Sequence, residues 1–363
     1  RQAHIPLLLH PDPHRALFLG VGTGATLAGA AAMPGIEVSG VELSPEVVRM
    51  LPHFAGPAAP PLPPVVVADA RRFVASAPGA YDVIVADLFH PALDGTGALY
   101  TLEHFSAVRD RLAPGGLFCQ WLPLYQLDAA SLHAITRSFL EAFPGGTAWL
   151  AHLSLQTPML ALIGTRDAAP LDTSHLQRRL DGPAPRVALD RTGLRHPLDL
   201  LGLSLGSASA LAGAGPLNTD DDPFVALDAQ RNVRALQAPP SALLLRVLSE
   251  VAEANGPSGD KSLDAYRRAR DRFLMAGAAI PAGLDQRSLM NAAIPGLLAA
   301  IHLSPAFDPA YQPLLSMARA LLAPTADADD RAAGLRLLSA IYQAAPSRPE
   351  AGEVLSHLGP FVR

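Results

Sequence analysis

Three acidic residues, each following a short apolar run, are the side chains of this sequence best suited to chemistry. They are Glu42, Asp69 and Asp87. A carboxylate accepts hydrogen bonds from polar ligand groups such as hydroxyls. The three residues therefore predict a site for a polar ligand.

A glycine-rich bend accompanies these acids. An apolar run leads into Gly20, Gly22, Thr23 and Gly24, and an apolar helical pattern follows at once. Glycines allow positive φ and let a ligand lie against the main chain, while the N–H groups of a helix start favour polar or anionic groups. The alternative is a strand, turn and helix without a ligand. Glu42, at the end of the next apolar run, favours a nucleoside cofactor, because an acid there can bind both ribose hydroxyls.

Composition argues against several classes of protein. The chain has 363 residues, 49% of them hydrophobic, and a net charge of −5. This length suits two domains with a sizeable core, and the lack of a basic tract argues against nucleic acid as a partner. Cys119 is the single cysteine, which leaves no disulfide and no thiolate metal site within one chain. His10 and His14 lie among prolines, and we predict no metal site.

The acids and the glycine bend fall at the carboxyl ends of predicted strands. These strands are Ala16–Leu19, Ile36–Val41, Val65–Ala68, Tyr81–Ala86, Leu117–Trp121, Thr147–His152 and Met159–Ile163. Their alternation with helical patterns favours a parallel sheet with helices on both faces, and ligands of such sheets bind beyond the carboxyl ends of the strands.

The patterns divide the chain into three segments. Residues 1–165 are predicted to form the sheet domain, residues 166–238 to extend it, and residues 239–363 to form a helical C-terminal domain. The acidic cluster Asp220–Asp222 stands out in the extension. A turn that caps a helix is the favoured interpretation of this cluster, ahead of a cation site or a contribution to the ligand site.

Residues 5–164 resemble the spermidine synthase (aminopropyltransferase) family, most closely a divergent bacterial branch often fused to membrane transporter-like segments. The resemblance rests on HPDPHRALFLGVGTGATL, VELSPEVV, ADARRF, YDVIVADLFHP, LYTLEHF, LAPGGLFCQWLPLY and LNTDDDP. It implies an α/β fold: a seven-stranded methyltransferase-type Rossmann sheet, here followed by a mostly helical C-terminal region.

The resemblance also implies a co-substrate, S-adenosylmethionine or its decarboxylated form. Glu42 would hold the ribose hydroxyls, Asp69 would accept from the adenine amino group, and Asp87 would be the catalytic carboxylate. For Asp87, a cap on the turn after its strand is the alternative. The implied cofactor-binding set is Gly20, Gly22, Thr23, Gly24, Glu42, Leu43, Asp69, Ala70 and Asp87.

Two positions depart from the family pattern. The synthases carry acids where this chain has Thr23 and His90. Losing two charge-assisted hydrogen bonds, each worth about 1.5–3 kcal/mol, puts ordinary putrescine recognition in doubt. Thr23 also removes an anion that would repel the carboxylate of intact S-adenosylmethionine. His90 is either a replacement base, because its pKa lies near neutrality, or a surface loop residue.

An acceptor pocket is predicted at Tyr100, Gln120 and Tyr125, with sheet core as the alternative. The leading function is transfer of an aminopropyl or related alkyl group to a small-molecule amine. The rivals are methyl transfer from S-adenosylmethionine and a non-catalytic nucleoside-binding sensor or scaffold. A homodimer and a membrane segment upstream in a longer parent chain stay open. No apolar run reaches the ~18–20 residues of a membrane span and no signal peptide is visible, so we expect a cytoplasmic protein.

Overall fold

A computed structural model describes the chain in two compact units. The described residues are 1–55, 61–76, 79–87, 95–182, 189, 192–232, 238–254 and 256–358. The first unit runs from Arg1 to Gly256 and the second from Pro257 to Arg363. In the described part of the chain, no helix combines the length and the apolar character that crossing a membrane requires.

The first unit alternates strands and helices. Its described strands are β1 (Arg15–Leu19), β2 (Glu37–Glu42), β3 (Val65–Val67), β4 (Tyr81–Ala86), β5 (Leu112–Pro123), β6 (Thr147–Leu150), β7 (Met159–Thr165) and β8 (Ser204–Ser207). Its described helices are α1 (His4–Leu9), α2 (Ala25–Ala31), α3 (Pro45–Ala55), α4 (Ala70–Ser76), α5 (Leu102–Asp110), α6 (Ala129–Ala142), α7 (Leu176–Asp181), α8 (Pro197–Leu201), α9 (Phe224–Asn232) and α10 (Ala242–Ala254), with 3-10 turns at Thr96–Tyr100, Leu124–Gln126 and Ala208–Leu211.

The described strands form one mixed sheet in the order β3-β2-β1-β4-β5-β7-β6-β8. The first five of these are parallel, whereas β7 runs antiparallel to β5 and β6, and β8 antiparallel to β6. The order 3-2-1-4-5 is that of a doubly wound α/β sheet. The predicted α/β fold is confirmed.

The predicted number of seven strands is wrong, because β8 adds an eighth at the edge of the sheet. The sequence of β8 is Ser-Leu-Gly-Ser, which has no apolar run and no clear alternation. Pairing with β6 creates this strand, with Thr147 opposite Ser207. Local sequence patterns carry little information about such an edge strand.

An aromatic cluster fixes the centre of the sheet against two helices. Phe118 of β5 stacks on Phe139 of α6 with ring centroids 5.9 Å apart, and Phe139 stacks on Phe143 at 5.0 Å. Phe105 of α5 meets Phe139 edge-on at 5.4 Å. All four rings are fully buried. Such pairs add about 0.5–1.5 kcal/mol each beyond the burial of their area.

The lone cysteine lies within this sheet. Cys119 of β5 has no exposed surface and forms no disulfide. Burial raises the pKa of its thiol well above the usual value, and the nearby charge of Asp87 acts in the same direction. Cys119 is therefore a small core residue that stays protonated.

The second unit is helical as far as the structure describes it. Its helices are α11 (Lys261–Ala278), α12 (Gln286–Leu303), α13 (Asp308–Leu321), α14 (Ala328–Ala344) and α15 (Pro349–Leu358). The predicted boundary at residue 239 differs from this division. Helix α10 contacts both β8 and the 3-10 turn Ala208–Leu211, and it therefore belongs to the first unit.

An arginine ties the ends of two helices together in the second unit. Arg348 donates to Asp308 of α13 at 2.7 Å and to Glu350 of α15 at 2.6 Å. Its guanidinium also lies 3.9 Å from the ring centroid of Tyr311. The two carboxylates raise the pKa of Arg348 even though burial opposes its charge. This group links α13 to α15 through charge-assisted hydrogen bonds.

A buried histidine lies in the first turn of α5. His104 of α5 is 1% exposed, and neither of its ring nitrogens has a hydrogen-bond partner among the described residues. The pKa of His104 is lowered to about 3, mainly by burial and to a smaller extent by the neighbouring charge of Arg71. The imidazole is therefore neutral in the folded protein at physiological pH.

We expect His104→Phe to stabilise the first unit by about 1 kcal/mol at neutral pH, because an unpartnered buried polar group costs about 1–3 kcal/mol. The gain should grow as the pH falls from 6.5 towards 3. Over this range the unfolded chain binds a proton that the folded protein does not, which lowers folding stability by up to about 1.4 kcal/mol per pH unit.

Urea unfolding of the wild type and the variant between pH 7 and pH 4 measures this effect. The same exchange at His53, whose side chain is exposed, is the control for the substitution itself. Equal slopes for the wild type and His104→Phe would contradict the assignment of a neutral buried imidazole.

Candidate active site

A cavity of about 530 Å³ lies at the carboxyl ends of β1, β2, β3 and β4. Its volume is in the range of small-molecule sites. The lining includes eight residues predicted from the sequence: Gly20, Gly22, Thr23, Glu42, Leu43, Asp69, Ala70 and Asp87. The glycine bend and the three acids therefore share one cavity.

The glycine bend needs backbone conformations that other residues adopt poorly. Gly20, Gly22 and Gly24 have φ values of 80°, 52° and 80°. The N–H of Gly20 donates to the carbonyl of Val41 at 2.9 Å, and the N–H of Gly24 to that of Val21 at 2.9 Å. Gly24 is not among the lining residues of the cavity. It caps the start of α2, and its hydrogen bond to Val21 closes the bend.

Glu42 is held at the base of this bend. One carboxylate oxygen accepts from the N–H groups of Val21 at 3.0 Å and Gly22 at 3.2 Å. The other accepts from the N–H of Ser44 at 3.0 Å. Three backbone donors therefore fix the Glu42 carboxylate where β1 and β2 end, on the wall of the cavity.

Asp69 begins the next helix. Its carboxylate accepts from the N–H of Arg72 at 2.8 Å, which is the geometry of a helix N-cap. Asp69 is exposed and lines the cavity together with Ala70. Leu43 lies on the same cavity and is 68% exposed, so its apolar surface is accessible to a ligand.

Asp87 follows β4 and is held by the main chain and by a side chain. Its N–H donates to the carbonyl of Leu19 at 3.0 Å, which continues the pairing of β4 with β1. Its carboxylate accepts from the side-chain amide of Gln2 at 2.5 Å. The main-chain carbonyl of Gln2 accepts from the indole N–H of Trp121 at 3.1 Å. Asp87 therefore lies at the end of a chain of contacts from the core.

Sequence reasoning missed Gln2. It lines the cavity and lies just before α1, all of whose residues are buried. No motif marks a glutamine before a short buried helix, so only the three-dimensional structure brings it to Asp87.

Sequence reasoning also missed Arg71, a cation on the cavity wall. Its guanidinium donates to the carbonyl of Ala98 at 3.0 Å and pairs with Asp220. The segment that carries Asp220 forms a turn before α9, in which Thr219 and Asp222 exchange hydrogen bonds. The acidic cluster thus lies in a turn, its predicted role as a helix cap stays a prediction, and Asp220 contacts a residue of the cavity.

The predicted acceptor residues do not line this cavity. Tyr100 and Gln120 are fully buried, and the amide of Gln120 donates to the carbonyl of Trp121 at 3.0 Å. Tyr125 is half-buried in a 3-10 turn. His90 lies outside the described residues. An acceptor pocket built from these side chains therefore stays a prediction.

Comparisons with known proteins point to one family. Residues 2–152 match the family described as Spermine/spermidine synthase domain. A polyamine aminopropyltransferase of Desulforudis audaxviator is 32% identical over 146 residues, covering 39% of this chain and 53% of that protein. A spermidine synthase of Dictyostelium discoideum is 28% identical over 146 residues, covering 39% of this chain and 51% of that protein. The chain spans about half the length of these curated relatives.

One solved structure is a spermidine synthase in complex with the transition-state analogue AdoDATO. It aligns with a TM-score of 0.43 at 21% identity, covering 53% of this chain and 74% of that one.

Gly40 of β2 offers a test of how the bend is held. A Cβ at this position would lie 2.8 Å from the side chain of Val21, which is 4% exposed. We expect Gly40→Ala to cost about 1–3 kcal/mol, the usual range for overpacking. Displacement of Val21 should also weaken the hydrogen bonds of the Val21 and Gly22 amides to Glu42. Urea unfolding and amide hydrogen exchange at these two positions measure both effects.

Gly35→Ala is the control, because a Cβ there meets open space and only the positive φ of 77° causes strain. It should cost about 1–2 kcal/mol and leave exchange at Val21 and Gly22 close to that of the wild type under native conditions. Equal protection of the two amides in Gly40→Ala and the wild type would show that the bend does not depend on this contact.

Proposed function

Because residues 2–152 of this chain belong to the spermine/spermidine synthase domain family, we propose that the cavity binds an adenosyl sulfonium and that the chain transfers its aminopropyl or related alkyl group to an amine acceptor. The donor is S-adenosylmethionine or its decarboxylated form. The observation that carries this proposal is the fixed carboxylate of Glu42 on a glycine bend, in one cavity with Asp69 and Asp87.

The cavity offers complementary groups for the parts of such a donor. Glu42 accepts the two ribose hydroxyls, and exposed Leu43 packs against the nucleoside. Asp69 accepts from the adenine amino group, and its oxygen that does not cap α4 is suited to this role. Burying charged acceptors against these donors gives hydrogen bonds about twice as strong as neutral ones.

The reaction requires a carboxylate near the sulfonium. An amine attacks the carbon next to the positive sulfur; a C–N bond forms, the C–S bond breaks, and its electron pair stays on sulfur as a neutral thioether. An ammonium ion has no lone pair for this attack. In our proposal Asp87 accepts the proton of the acceptor and orients the lone pair. Most of the remaining rate enhancement comes from positioning.

Gln2 has a positioning role in this proposal. Its side-chain amide donates to one oxygen of Asp87 at 2.5 Å, which holds the carboxylate in one orientation on the cavity wall. The Trp121 indole and the buried helix α1 fix the main chain of Gln2. The side-chain amide of Gln2 therefore favours the one Asp87 rotamer that it contacts.

The nature of the donor tail depends on Thr23. This residue lines the cavity with a neutral hydroxyl. A neutral group there tolerates the carboxylate of intact S-adenosylmethionine, so both donors belong in a test. We propose that the acceptor is a small amine.

The test incubates the protein with each donor and a panel of diamines and polyamines and identifies the nucleoside product by mass spectrometry. We expect methylthioadenosine from decarboxylated S-adenosylmethionine, because the C–S bond to the alkyl chain breaks. S-adenosylhomocysteine as the product would identify a methyltransferase instead. Tight donor binding without any product would identify a nucleoside-binding sensor.

Replacement of the proposed base separates chemistry from binding. We expect Asp87→Asn to lower kcat by about 10²–10⁴-fold, the usual contribution of a general base, and to leave donor affinity within about threefold. Single-turnover kinetics and calorimetry measure the two quantities. Unchanged turnover would refute the role of Asp87 while leaving donor binding intact.

Gln2→Leu tests the positioning role. Because a hydrogen bond to a charged group contributes about 1.5–3 kcal/mol, we expect kcat to fall about tenfold or more with little change in the KM for the donor. Gln177→Leu, at an exposed glutamine of α7, is the control and should have wild-type kinetics. If the two variants have the same kcat, Gln2 does not position the base.

A further inference from the structure

The segment 218–226, which follows β8 and lies outside the family match, contacts the wall of the cavity from behind. We propose that this segment positions the wall around Arg71 and Thr96–Tyr100 for donor binding, and that Asp220 does so through Arg71. The inference rests on the proposed function of the cavity, and it assigns a role in that function to a segment outside residues 2–152.

The first contact is the ion pair of Asp220 with Arg71. Asp220 pairs with one end of the guanidinium, while the other end donates to the carbonyl of Ala98 at 3.0 Å and to the hydroxyl of Thr101 at 3.4 Å. The two charged side chains are only 29% and 38% exposed. Although burial opposes its ionisation, the hydrogen bond from Arg71 helps to keep the pKa of Asp220 below its usual value.

The ion pair determines where a positive charge lies on the cavity wall. Arg71 lies two residues after Asp69, and both line the cavity with Glu42 and Asp87. Without Asp220, the guanidinium keeps only the neutral partners Ala98 and Thr101, and the acids of the cavity wall then compete for its charge, which would occupy carboxylates that the donor needs. Asp220 therefore keeps Arg71 in the wall and these acids available to ligand.

The second contact is Asn218, which has no exposed surface. Its side-chain amide donates to the carbonyl of Gly97 at 3.4 Å and accepts from the N–H of Val225 at 3.0 Å. The main-chain carbonyl of Asn218 accepts from the N–H of Leu102 at 3.0 Å. The side chain of Asn218 thus joins the 3-10 turn that lines the cavity to α9, and its main-chain carbonyl contacts the start of α5.

Close packing reinforces this connection. A Cβ on Gly97 would lie 2.7 Å from the Cβ of Ala226 and 3.1 Å from its main-chain nitrogen. Gly97 is therefore needed for the 3-10 turn to lie directly on α9. The neighbouring residues Thr96, Ala98 and Leu99 line the cavity. A shift of α9 would therefore move this part of the cavity wall.

The test compares Asp220→Asn with Asp221→Asn, a matched control at the next, exposed aspartate. Calorimetry with 5′-methylthioadenosine and steady-state kinetics with the donor are the readouts. We expect Asp220→Asn to weaken methylthioadenosine binding about two- to fivefold and to raise the KM for the donor by the same factor, because the ion pair is partly exposed. The kcat should stay within about twofold of the wild type. Asp221→Asn should match the wild type in both.

A double variant decides whether Asp220 acts through Arg71. If it does, Asp220→Asn has no further effect on binding in an Arg71→Met background. Additive effects would overturn this route. Equal binding by Asp220→Asn and the wild type would overturn the inference while the proposed function stands, whereas a wild-type protein that binds no adenosyl compound would overturn the proposed function and this inference together.

Discussion

The cavity depends on the contact between the Glu42 carboxylate and the glycine bend. Two neighbouring parallel strands end side by side, with Leu19 of β1 opposite Val41 of β2. The bend after β1 exposes the N–H groups of Val21 and Gly22, and Glu42 at the end of β2 accepts from both. An unpaired backbone donor in this place would carry a desolvation cost, and a glutamate side chain has the reach to remove it. The same contact leaves the bend open to a ligand.

Strand order then gathers the other acids. Because β3, β2, β1 and β4 are adjacent and parallel, the residues that follow them meet at one edge of the sheet. Asp69 and Asp87 reach the cavity for this reason, although they are far apart along the chain. The buried core formed by Phe105, Phe118 and Phe139 keeps β5 and its neighbours in register without contributing to the cavity itself.

Features governed by short-range patterns were predictable from the sequence. Apolar runs ending in glycine or acid predicted the parallel strands and the residues at their ends, because strand period, glycine conformation and the position of ligand sites follow general rules. Gln2, Arg71 and Asp220 were not predictable in this way. Their contacts join positions up to 149 residues apart, and neither a period nor a motif marks them. Strand β8 was missed for the same reason, since pairing with β6 rather than its own composition creates it.

The burial of Cys119 has a practical consequence. Since it is the only cysteine of the chain and has no exposed surface, thiol reagents find no accessible target in the folded protein. One cysteine placed on an exposed loop would then be the single labelling position. A fluorophore or spin label attached there would report on movements of the first unit without background from the native thiol and without the need for a cysteine-free variant.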